Sequence, residues 1–143
     1  MTIQQISIFL PNKPGSFRDI AKILSENDIN MRAMSVAETS DFGILRIIVD
    51  DNDKACDVLK NAGYIFKETP VIAVEVVDKP GALVQILDVL NDKEISLEYM
   101  YAFLSRKTDS AYMVIRVDEP NTAADYLKEV GVNVITKADI DKL

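Results

Sequence analysis

Laid against itself with a shift of 66 residues, the sequence places Lys13-Pro14-Gly15 on Lys79-Pro80-Gly81, Leu24 on Leu90, Ile29 on Ile95 and Met34 on Met100. Beyond these the better shift is 68, which aligns Val49-Asp50 with Val117-Asp118, Ala55 with Ala123, Leu59 with Leu127 and Gly63 with Gly131. A chain written twice in this way is expected to fold as two copies of one supersecondary unit. The two extra residues of the second copy fall where "SRKTDS" (105–110) replaces the shorter "TSDF" (39–42), as insertions do at exposed loops.

Within each copy the periodicity reads strand, helix, strand, strand, helix, strand. Residues 3–10 alternate around Ile6, Ile8 and Leu10, and residues 71–77 around Ile72, Val74 and Val76. Phe17, Ile20, Ala21 and Leu24 share one helical stripe, as do Leu83, Ile86, Leu87 and Leu90. Residues 29–36 and 44–49 form a central hairpin, matched by 95–103 and 112–117. Second helices follow, with Asp53 and Asn121 as expected N-caps. A βαββαβ unit makes a four-stranded antiparallel sheet with both helices on one face, so the expected fold class is α+β with two ferredoxin-like units. The opposite sheet face would carry Phe9, Ile44, Ile48, Val71 and Tyr112. A homodimer would cover it, or it stays as tolerated exposed apolar surface.

Composition excludes several functions. The net charge is −7, with 8 basic and 10 acidic residues in positions 1–70 and 8 and 13 in positions 71–143. Neither half offers the clustered cations that nucleic acid and anionic membranes require. Histidine is absent, which removes the commonest general base and metal ligand. Cys56, the single cysteine, reads as a small core residue. Phosphate-loop, nucleophile-elbow and metal-ligand spacings are missing, so no catalytic residues, metal or cofactor are expected. The third strands, "GILRIIV" and "AYMVIRV", lack the basic, aromatic character of an RNA-recognition sheet. No apolar run reaches membrane-spanning length and the N-terminus lacks a signal-peptide layout, which predicts a cytoplasmic protein.

The repeated Lys-Pro-Gly lies between a strand and a helix. Proline there supplies a fixed φ and glycine an unobstructed turn, leaving first-turn N–H groups free to meet a carboxylate. The same residues also serve as a plain strand-to-helix connection copied along with the fold.

"PNKPGSF" and "VDKPGAL", each followed by a helix and then "NDINMRAMS" or "KEISLEYMY", resemble the ACT domain, a small regulatory module that binds amino acids. "SVAETSDFGILRIIVDD" and "SLEYMYAF" are similar to stand-alone tandem ACT proteins of the acetolactate-synthase-like type. The resemblance covers residues 1–69 as one domain and 70–143 as the second. It implies two domains paired side by side into an eight-stranded sheet, with a free amino acid held at their interface by the strand-to-helix loops. In the first copy it points to Asn12, Lys13, Pro14, Gly15, Ser16 and Phe17, with Asn30 opening the second strand. In the second copy the matching positions are Asp78, Lys79, Pro80, Gly81, Ala82 and Leu83, with Ser96. Asp78 would repel a carboxylate that Asn12 could accept, so the two sites are not expected to be equivalent. The implied function is a non-enzymatic, allosteric amino-acid sensor, homodimeric, with an amino-acid biosynthetic enzyme as its target. The alternative is a dimerisation scaffold or regulatory subunit without a ligand of its own.

Overall fold

The structure, a computed structural model, describes residues 1–39, 41–104 and 109–143. It divides into two compact units, Gln4–Thr69 and Pro70–Leu143 with Met1–Ile3. Most of the expected "SRKTDS" insertion lies outside the described residues.

The first unit runs β1 (Ile3–Pro11), α1 (Ser16–Glu26), β2 (Met31–Glu38), β3 (Phe42–Val49) and α2 (Asn52–Asn61), ending in the first residues of β4 (Ile65–Val77). β3 lies between β1 and β2, antiparallel to both. The period-two alternation explains the register: Ile6 faces Ile47 and Ile8 faces Leu45 across the β1–β3 ladder. Those side chains are buried together with Ile20 and Leu24 of α1 and Leu59 of α2. Each fully buried aliphatic side chain contributes roughly 1.5–3 kcal/mol.

The second unit takes the rest of β4, then α3 (Ala82–Asp92), β5 (Leu97–Ala102), β6 (Ser110–Val117), α4 (Pro120–Glu129), β7 (Val134–Ile135) and α5 (Lys137–Asp141). Its strand order is β7-β4-β6-β5, antiparallel throughout. Ile72, Val74, Ile115 and Val117 face the helix residues Ile86, Leu90 and Leu127, the same core built a second time. Even an uncommon backbone position is repeated: Asp28 and Glu94 have φ of 57° and 56°. Each is followed by an amide returning to its helix, Ile29 to Leu24 and Ile95 to Leu90, both at 2.9 Å.

Three expectations need correction. Seven strands are present among the described residues rather than eight, because β4 serves as the last strand of one copy and the first of the next. Pro70 sits inside that strand without breaking it, and its carbonyl accepts a 2.8 Å bond from Arg116 Nη1. The N-caps lie earlier than Asp53 and Asn121. Asp51 caps α2 by accepting from Lys54 N at 3.1 Å, and α4 begins with Pro120 after Glu119. Finally, Ile48, Val71 and Tyr112 are buried within the chain. α5 was not foreseen, and a cavity lined by Tyr112, Ile135, Asp139 and Lys142 puts it beside that sheet face, with Ile140 fully buried.

Candidate functional site

Both Lys-Pro-Gly sequences fold as the same turn. Ser16 N bonds Lys13 O at 3.4 Å and Ala82 N bonds Lys79 O at 3.3 Å. The central glycines have nearly identical dihedrals, φ 88° and ψ −7° at Gly15 and φ 87° and ψ −10° at Gly81. Proline then glycine with positive φ at the two central positions is the pattern of a type II turn. Pro14 and Pro80 therefore shape the turn rather than open the helices. Each glycine is instead the N-cap residue, and having no side chain it leaves α1 and α3 without side-chain caps. α2 and α5, by contrast, are capped by Asp51 and Thr136.

Around the first turn the side chains build a cavity of about 310 Å³ within the first unit. Pro11, Asn12, Lys13, Pro14 and Phe17 supply one wall, Val36, Ala37 and Glu38 of β2 another, and Gly43 of β3 the floor. Asn12 Nδ2 donates to Thr39 O at 2.7 Å, clipping the loop to the β2–β3 connection. Ser16 Oγ donates to Pro11 O at 2.9 Å and turns inward, away from the cavity. The lining is mostly apolar, with one cation in Lys13 and one anion in Glu38. Such a lining can hold a small zwitterion by its two ends and pack its remainder.

The second turn lines a different place. Its cavity, about 210 Å³, takes Lys79 and Ala82 from the loop and helix start, with Gln85 and Ile86 of α3, Glu75 and Val77 of β4, and Gly131, Val132 and Asn133 ahead of β7. It opens beside β7, whereas the first cavity opens beside β2. The Glu75 carboxylate is already held by Ser110 Oγ at 2.7 Å and Asn133 Nδ2 at 2.8 Å. Asp78, Pro80, Gly81 and Leu83 do not line it.

Asn30 and Ser96 are not brought to the loops of their own units. Asn30 N donates to Asp50 Oδ1, and Ser96 N to Asp118 Oδ1, each at 3.1 Å. Asn30 precedes β2 and lies six residues before Val36, where the cavity lining on that strand begins, roughly 20 Å away along the strand. Sequence reasoning missed Val36, Glu38 and Gly43, which join the loop only through sheet pairing. The signal available was Gly43 itself, a glycine at the head of the predicted third strand.

Burial, and then the neighbouring Glu68 carboxylate, push the Cys56 thiol up to about 11, far from the thiolate a nucleophile needs. Among the described residues no group of His, Cys, Asp and Glu is placed to hold a metal, and no helix is long and apolar enough to cross a membrane.

Comparison with known proteins gives a consistent result. A family model described as an ACT domain pair matches residues 1–143. Among solved structures, protein BT0572 from Bacteroides thetaiotaomicron is 37% identical with a TM-score of 0.92, over 100% of this chain and 98% of that one. The regulatory subunit of aspartate kinase from Thermus thermophilus, in its ligand-free form, is 15% identical with a TM-score of 0.65, over 90% and 91%. Its counterpart from Thermus flavus is 16% identical with a TM-score of 0.63, over 86% of both chains. The two kinase subunits share the fold. No curated protein matches the chain.

Proposed function

The chain belongs to the family of ACT domain pairs, and on that premise we propose that it is a regulatory protein that binds a free amino acid at the first Lys-Pro-Gly turn. The observation that carries this reading is the cavity that gathers Lys13, Glu38 and the turn before α1 around a mostly apolar space. Lys13 and the uncapped N–H groups of α1 serve the ligand's carboxylate, and Glu38 serves its ammonium. A volume of about 310 Å³ suits a molecule of amino-acid size. Regulation then requires that the ligand favour one state of the protein over another. The solved kinase regulatory subunits support an amino-acid biosynthetic enzyme as the target, and the chain itself acts by binding rather than by catalysis.

The second reading is an interaction scaffold with no ligand of its own. It draws on Asn12, whose amide already donates to the hairpin.

Thermal unfolding against each of the twenty amino acids at millimolar concentration separates the two. A ligand at a hundredfold excess over Kd stabilises the folded state by about 2.7 kcal/mol. The sensor reading expects a selective rise in Tm that Lys13→Ala and Glu38→Ala each diminish. No rise with any amino acid would sink it in favour of the scaffold.

A further inference from the structure

Four of the five glycines have a backbone reason to be glycine, and one does not. Gly15, Gly63, Gly81 and Gly131 have φ between 81° and 88°, and a Cβ added at any of them would meet nothing within 4 Å. Gly43 reverses both properties. Its φ lies outside the left-handed region, yet a Cβ there would come within 3.2 Å of Asn12 Oδ1 and 3.3 Å of Phe17 Cζ. Inside a strand, glycine forgoes packing and costs backbone order, so its use in β3 marks a close approach by something else. What approaches are two residues of the cavity wall.

The second copy differs at this place in a correlated way. β1 pairs Leu10 with Gly43, and β4 pairs the equivalent Val76 with Ala111, so Ala111 occupies the Gly43 position. The loop positions matching Phe17 and Asn12 are Leu83 and Asp78. A methyl group gained on the strand accompanies a ring lost from the loop.

We propose that Gly43 and Phe17 form a steric pair that sets the specificity of the first cavity for an amino acid with an uncharged, apolar side chain, bound once per chain. The inference rests on the amino-acid reading of that cavity. Pro11, Pro14, Phe17 and Val36 wall it, so the ligand side chain lies against apolar surface. Lys13 and Glu38 are engaged by the ligand's own carboxylate and ammonium, which leaves a charged side chain without an ionic partner and disfavours it. A Cβ at Gly43 would crowd the tip of the Phe17 ring and Asn12 Oδ1, so that one of them must shift by a few tenths of an ångström, and both line the cavity.

Isothermal titration of the full chain with valine, leucine, phenylalanine, aspartate and lysine tests this on four proteins: wild type, Gly43→Ala, Phe17→Leu and the double variant. The expected result is one apolar amino acid per chain, preferred over aspartate and lysine by roughly tenfold or more. Gly43→Ala should weaken it by a similar factor, and the double variant should bind better than the two single losses predict, because leucine makes room for the methyl. Additive losses, a silent Gly43→Ala, two equal sites per chain or a preference for a charged side chain would each overturn the pair while leaving the amino-acid reading standing. Binding of none of the five to wild type would overturn the pair. A Tm screen silent for all twenty would remove the reading beneath it as well.

Discussion

The two Lys-Pro-Gly turns agree to within a few degrees at their glycines, yet the cavities beside them share only two matching pairs of residues, Pro11 with Val77 and Lys13 with Lys79. One cavity leans on β2 and the other on the approach to β7. Duplication preserved what the backbone needs, because a positive φ and a proline-shaped turn tolerate few alternatives. It left free what only side chains decide. Asn12 against Asp78, Phe17 against Leu83 and Gly43 against Ala111 are therefore the positions where the copies acquired different chemistry.

The comparison can be pressed first on the cores. Ile20 and Ile86 are equivalent and buried, so Ile20→Ala and Ile86→Ala should each cost about 2–5 kcal/mol in urea unfolding. Clearly unequal losses would show that one core collapses around a cavity and the other does not. Next come the turns: Gly15→Ala and Gly81→Ala should each cost about 1–2 kcal/mol without ligand, since open space leaves only the backbone penalty. A cost at one turn alone would end the claim that they are the same device.

Smaller differences follow from the second helices. Asp51→Ala should destabilise by about 1 kcal/mol through loss of the α2 cap, while Glu119→Ala, at a position making no side-chain cap, should be nearly silent. The smallest effect concerns α5. Bonds from the backbone and side chain of Thr136 hold the Asp139 carboxyl below its ordinary 3.8. Its contribution is therefore present above pH 3.8 and lost as pH falls through the lower folded value. Thr136→Ala should return Asp139 toward 3.8 in an NMR titration, and an unmoved carboxyl would contradict the capping box.

The fold was largely legible because its determinants are periodic. Alternation at Ile6, Ile8 and Leu10 and the shared stripe of Ile20 and Leu24 carry strand and helix directly, and repetition confirmed each assignment. What escaped lacks a period. α5 is five residues long, too short to show a stripe, and its burial comes down to Ile140. Pro70, inside β4, takes a bond from Arg116, 46 residues away. For the candidate cavity, the turn was legible from its chemistry: of the loop residues singled out, Asn12, Lys13, Pro14 and Phe17 line the cavity, and Gly15 and Ser16 do not. The opposite wall was not, because Val36, Glu38 and Gly43 reach the loop through pairing in the sheet.

The N-terminal residues carry a consequence for biosynthesis. Met1–Ile3 belong to the unit completed by the C-terminal half, and the Met1 amino group reaches Asn121 Oδ1 at 3.3 Å, 120 positions later. Residues 1–3 therefore reach their place only after Asn121 has been made. At about 5–20 residues per second they wait several seconds for their partners to be synthesised. During that interval Gln4–Thr69 can form its core while the preceding segment stays available to chaperones and proteases.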